Sequence, residues 1–108
     1  GRRFEQFVIS QIAAAIHYRG ADLELYYWRT NHGAEVDLLI CEGNRIKWAI
    51  EIKASQQISM ETWSVRRSFM EDNPDVPAYV LGRDQKRRKL KNDATIMNWH
   101  DFIAEMLI

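Results

Sequence analysis

The chain has little of what staples or interrupts a small domain. One cysteine, Cys41, in 108 residues excludes an internal disulfide and any cysteine-rich zinc site, and such usage points to a reducing cytoplasm. Two prolines and five glycines leave few natural breaks, and no Gly/Pro/Ser-rich stretch marks an internal linker. No apolar run approaches the ~18 residues of a membrane span, and no apolar segment with a cleavage site opens the chain, so neither a membrane partner nor a signal peptide is expected. Net charge is lacking too. Fifteen Lys and Arg meet fifteen Asp and Glu, which removes any global pull toward nucleic acid or acidic surfaces. What is present is the balance of one globular domain, 46% apolar and 28% charged. The chain opens on Gly1, without an initiator Met, and runs straight into a helical pattern; this suggests a domain cut from a longer protein.

Residues 4–18 read as a helix, with Phe4, Val8, Ile12 and Ala15 in one apolar row and Ile9, Ile12 and Ile16 in the next. Gly20 is its expected stop, and Glu5 sits at the edge of the apolar stripe. Three strand-like runs follow. Leu25–Arg29 is aromatic and ends at the Asn31-His32-Gly33 turn signal. Then 34–41 and 46–53 alternate apolar and polar residues around Glu42-Gly43-Asn44, which predicts an antiparallel meander. Ser59 caps an expected helix over about 60–72, ended by Asn73-Pro74-Asp75. A strand at 77–81, a short strand at 95–97 and a C-terminal helix through Phe102, Ile103, Met106 and Leu107 complete the pattern.

The hairpin carries the chemistry. Its apolar residues are even-numbered on both strands, so a shared face requires opposed residues whose numbers sum to an even value. A three-residue loop at 42–44, pairing Cys41 with Arg45, meets that condition and sets Asp37 opposite Ala49 with Glu51 as its diagonal neighbour. Glu35, Asp37, Glu51 and Lys53 then share one sheet face, with the Glu5 helix available to cover it. Several half-buried carboxylates call for a compensating lysine, a divalent cation, or both. Mg²⁺ suits such a set, since it takes one or two carboxylates and fills the rest of its shell with water and phosphate oxygens. From the spacing alone, a solvated sheet face with ordinary cross-strand pairs is the favoured reading.

Asp37, thirteen intervening residues and then Glu51-Ile52-Lys53 resembles the PD-(D/E)XK restriction-endonuclease-like superfamily, with Val36 where the name motif has proline. Glu5 matches the acidic residue on the first helix of its resolvase-like branch. More narrowly, the chain is similar to the nuclease-like C-terminal domain of archaeal-type AAA+ ATPases. The similarity lies in Gly1-Arg2-Arg3-Phe4-Glu5, Tyr27-Trp28-Arg29-Thr30, Gly33-Ala34-Glu35-Val36-Asp37 and Ile50-Glu51-Ile52-Lys53-Ala54-Ser55. The resemblance implies an α/β fold, a mixed sheet flanked by helices in the order α-β-β-β-α-β, then a short strand and a helix. It implies that Asp37 and Glu51, with the carbonyl of Ile52, bind Mg²⁺ or Mn²⁺. Lys53 would assist the attacking water or the transition state, and Glu5 would hold a metal-associated water or a second ion. DNA, an upstream ATPase module and a second copy of the chain are the implied partners. No G-x-x-x-x-G-K-[ST] occurs, so this fragment is expected to hold no ATP site. Metal-dependent DNA hydrolysis is the leading function; an inactive DNA-binding, regulatory or protein-interaction module of the same ATPase is the alternative.

The neutral total conceals an uneven distribution. Arg83, Lys86, Arg87, Arg88, Lys89 and Lys91 hold six positive charges beside the single acid Asp84, leaving a net of −5 elsewhere. Lys86 through Lys91 read either as phosphate-backbone contacts, salt-dependent and blind to sequence, or as a solvated loop. Tyr26, Tyr27, Trp28, Trp48, Trp63 and Trp99 read as core aromatics rather than base-stacking ones. His17, His32 and His100 lack zinc spacing, and Cys41 reads as an inert thiol.

Overall fold

A computed structural model describes residues 2–20, 22–29, 35–54, 72–83, 86–89 and 94–108, with the backbone alone at 27–29 and 35–37. Helix α1 spans Arg2–Arg19. Its register follows the apolar rows: Phe4, Val8, Ile12, Ala15 and Ile16 are buried, Val8 and Ile12 completely. Each such aliphatic side chain contributes about 1.5–3 kcal/mol of burial. The helix stops where Gly20 takes φ +70°, a conformation that favours glycine, and its N–H donates to the His17 carbonyl at 3.1 Å.

Strands β1 (Glu24–Arg29), β2 (Glu35–Glu42) and β3 (Arg45–Lys53) form the antiparallel meander. After a turn at Asn73–Val76, β4 (Ala78–Gly82) runs parallel to β3, docked by a 3.0 Å bond from the Ala49 N–H to the Pro77 carbonyl. Strand β6 (Thr95–Asn98) lies parallel to β4, and the two-residue edge strand β5 (Arg88–Lys89) pairs antiparallel with β6. The result is a mixed six-stranded sheet in the order β1-β2-β3-β4-β6-β5. Helix α2 (Trp99–Phe102) continues into a π-helical turn, Ile103–Leu107. The α/β class and element order match the expectation, and β5 is an addition within the basic stretch. The expected helix over 60–72 (except Asp72), the Asn31-His32-Gly33 turn and Lys91 lie outside the described residues. No helix among the described residues is long and apolar enough to cross a membrane.

The hairpin register differs from the expected one. Glu42 pairs with Arg45 across a two-residue Gly43-Asn44 turn, and Cys41 pairs with Ile46. Gly43 has φ +61°, the positive φ that both primed hairpin turns need at their first central residue. This turn alone would have set apolar against polar residues along the whole ladder. A bulge between Ile40 and Cys41 corrects it by leaving Lys47 unopposed, so that Ile40 meets Trp48 and Leu38 meets Ile50. The even sum holds, shifted by two. Asp37 therefore stands directly opposite Glu51, not opposite Ala49, and Glu35 opposite Lys53.

Alternation then divides the sheet into two faces. Leu38, Ile40, Trp48, Ile50, Ile52, Tyr79, Leu81 and Met97 form one core with α1 and with Phe102, Ile103 and Leu107. Phe102 meets the rings of Trp48 at 5.7 Å and Tyr79 at 5.1 Å, both edge-on, which seats the C-terminal helix on the same face as α1. The opposite face carries a second buried group: Ala78, Val80, Ala94 and Ile96.

Candidate functional site

Glu51 is on this second face, beside Val80 in the parallel ladder, and it is completely buried, as is Glu5 on α1. They are the two buried charged residues among the described ones, and in each the carboxylate Oε2 is shut off from solvent. Opposed residues of an antiparallel pair have Cα atoms about 5 Å apart, so the ladder forces two acidic residues, Asp37 and Glu51, together. Like charges in that position destabilise a sheet, and burial raises the cost of holding a carboxylate ionised. Lys53, half-buried, follows two residues after Glu51 and faces Glu35 across the same ladder.

Helix α1 does not cover this face as expected, because its apolar stripe packs on the opposite one. It approaches the cluster at the end of the sheet instead. The Arg83 guanidinium, just past the carboxyl end of β4, stands 4.6 Å from the centroid of the Phe4 ring, and β4 is parallel to β3, whose carboxyl end is Lys53. The first turn of α1, with Glu5, is therefore at the end of the sheet where Asp37, Glu51 and Lys53 are. Glu5 is not at the rim of the stripe but inside it. Among the described residues no three His, Cys, Asp or Glu side chains converge as a metal-ligand group, a set that does not include the side chains of Glu35 and Asp37.

The basic residues occupy another place. Lys86, Arg87, Arg88 and Lys89 are all exposed. Strand β5 is three strand spacings from β3 in the sheet order, roughly 14 Å at 4.8 Å each. The Arg87 Nη1 donates to both carboxylate oxygens of Glu105 at 3.0 Å, which ties this segment to the C-terminal helix. Arg88 and Lys89 also serve the sheet directly, since charged residues on an edge strand discourage pairing with another chain. Cys41 is half-buried, and burial together with the charge of Glu24 pushes its thiol pKa up, which suits an unreactive cysteine.

The family described as "Domain of unknown function (DUF4143)" matches residues 1–102, nearly the whole chain. The chain belongs to the DUF4143 family. No curated protein and no solved structure matches it. The membership carries no activity, so the chemistry of this DUF4143 domain has to be argued from its own residues. Two features of the site were not legible in the sequence. The direct Asp37–Glu51 pairing depends on the bulge at Lys47, which β-branched alternation does not announce. Arg83 was visible only as one charge in a basic run; its seat against Phe4 comes from the packing of α1 on the sheet. The one local signal for the shifted register is Gly43-Asn44 itself, a pair favoured in two-residue hairpin turns.

Proposed function

We propose that this DUF4143 domain is a nuclease-like domain of the PD-(D/E)XK, restriction-endonuclease-like type that hydrolyses DNA phosphodiesters with Mg²⁺ or Mn²⁺. The single observation that carries the reading is the ladder pairing of Asp37 with a completely buried Glu51. A sheet that places two acids directly opposite each other, with one withdrawn from water, spends stability on an arrangement that a divalent cation would reward. Hard carboxylate oxygens from Asp37 and Glu51, with the Ile52 carbonyl between Glu51 and Lys53, are the donor type these cations take. When bound, the cation lowers the pKa of a coordinated water and neutralises charge on the phosphodiester. Lys53 supplies a fixed positive charge for the crowded phosphate. Glu5, at the same end of the sheet, accepts a proton or holds a water beside the cluster. DUF4143 domains are found in AAA-ATPase-associated proteins, which supports an ATPase module in the parent chain as the partner that delivers DNA.

A second reading has its own support. The exposed Lys86, Arg88 and Lys89 present positive charge along one sheet edge, as a DNA-binding or regulatory module without turnover would need. Cleavage of plasmid and branched DNA with Mn²⁺ or Mg²⁺, comparing wild type with Asp37→Ala purified in parallel, decides between them. The expected result is cutting by wild type only. Equal residual cutting, or none in either protein, removes catalysis and leaves the binding module.

A further inference from the structure

The carboxyl end of the sheet carries a second, surface-exposed grouping. Asn98, the last residue of β6, accepts from the His100 N–H at 2.8 Å through its Oδ1 and donates from Nδ2 to the Arg83 carbonyl. One side chain thus ties the segment after β4 to the start of α2. Across from them, α1 presents Phe4 and Phe7, three residues apart and so on one helix face. Arg83 lies against Phe4 at 4.6 Å, and Phe7 meets the half-buried Trp99 edge-on at 5.3 Å. Trp99 in turn meets His100 edge-on at 5.5 Å.

Phe7 is 48% exposed and takes no part in either core. Burial does not account for a phenylalanine there. Arg83 is exposed and makes no ion pair with a described residue, in contrast to Arg87 with Glu105. An open aromatic pair beside an exposed guanidinium that makes no ion pair with a described residue combines a stacking surface with a phosphate contact, the two parts of a site for single-stranded nucleic acid. A duplex does not fit this chemistry as well, because its base faces are already stacked on one another. The place is also the one where open α/β sheets bind ligands, outside the carboxyl ends of their parallel strands.

We propose that Phe7, Trp99 and Arg83 hold a single nucleic-acid strand at the carboxyl end of the sheet, a base stacking on the aromatic pair and a phosphate on the guanidinium. The choice of nucleic acid rests on the nuclease-like reading, and the site deepens it: a strand anchored here enters the Asp37–Glu51 end unpaired, so the preferred substrates are single-stranded or frayed.

The test is fluorescence anisotropy with labelled oligo(dT) and with a duplex of the same length, in EDTA so that nothing is cut. The single strand binds more tightly than the duplex, and Phe7→Ala and Arg83→Gln each raise its Kd about tenfold while barely changing duplex binding. Should Phe7→Ala fail to fold, Phe7→Leu keeps the bulk, lacks the π face and shows the same loss. The proposal is overturned if wild type does not bind oligo(dT), binds the duplex as tightly, or is matched by the folded variants. Cleavage is an independent readout. If Asp37→Ala cuts like wild type while Phe7 substitution still weakens oligo(dT), catalysis fails and the strand surface stands. If Asp37→Ala abolishes cutting while Phe7 and Arg83 substitutions leave oligo(dT) binding unchanged, the strand surface fails and the cluster stands.

Discussion

The turn of the β2–β3 ladder and its Asp37–Glu51 pair place charge in opposite ways. At the turn, Glu42 pairs with the exposed Arg45 at 3.1 Å and with the half-buried Lys47 at 3.9 Å, opposite charges around a tight, glycine-assisted reversal. Toward the far end, which the opposite charges Glu35 and Lys53 close, Asp37 stands opposite Glu51, like against like, and Glu51 is withdrawn completely from solvent. The same two strands provide both, separated by a few residues and one bulge. The turn end is arranged as stability would arrange it. The Asp37–Glu51 pair is not, and a local rule broken inside an otherwise consistent sheet marks the place where function is expected.

Five substitutions break or sharpen that contrast. The largest effect belongs to catalysis: Glu51→Gln keeps the shape, removes the charge and lowers metal-dependent cleavage by at least roughly a hundredfold. Unchanged cutting would make the far end an ordinary sheet terminus. Next is packing between the ends. Ile50→Ala, in the ladder between them and nearly fully buried, costs about 2–5 kcal/mol by chemical denaturation, and a small loss there would mean the strands are held by something other than their shared core. Third, Asp37→Asn relieves the like-charge pair. In EDTA it stabilises the fold by up to about 1 kcal/mol, a rise of roughly 4–8 °C per kcal/mol in Tm for a domain of this size. Added Mg²⁺ raises the wild-type Tm and leaves that of the variant unmoved. A destabilised Asp37→Asn in EDTA would show that the acids are satisfied without a cation.

The remaining effects are at the turn. Gly43→Ala meets nothing within 4 Å, so its cost is conformational only, about 1–2 kcal/mol for a side chain at positive φ. Arg45→Ala, which removes an exposed ion pair, costs at most about 1 kcal/mol, and less in high salt. A larger loss from Arg45 than from Gly43 would reverse the ranking and make charge, not backbone geometry, the organiser of this end.

Much of the fold was legible because it rests on periodicity. The apolar rows of α1, the alternation of 34–41 and 46–53, and the apolar run at 77–81 each state which side must leave water, and the core follows from them. The even-sum condition on the hairpin was legible for the same reason: one face must be apolar on both strands. The condition admits more than one register, however. Choosing among them needed the turn geometry of Gly43-Asn44 and the compensating bulge, which depend on backbone strain and on hydrogen bonding across the ladder.

The sequence by itself determined the α/β class, the strand order through the hairpin, and the identity of the acidic and basic residues near the candidate site. Only the tertiary structure decided that Asp37 faces Glu51 directly and that Glu5 is buried inside the α1 stripe. The same holds for α1 and α2 sharing one face, and for Arg83, Phe7 and Trp99 meeting at the carboxyl end of the sheet. The physical reason is that strand register and element packing lie outside the reach of local periodicity. Periodicity reports which face of its own element a residue occupies, whereas these placements are set by the hairpin's turn and bulge and by how whole elements pack.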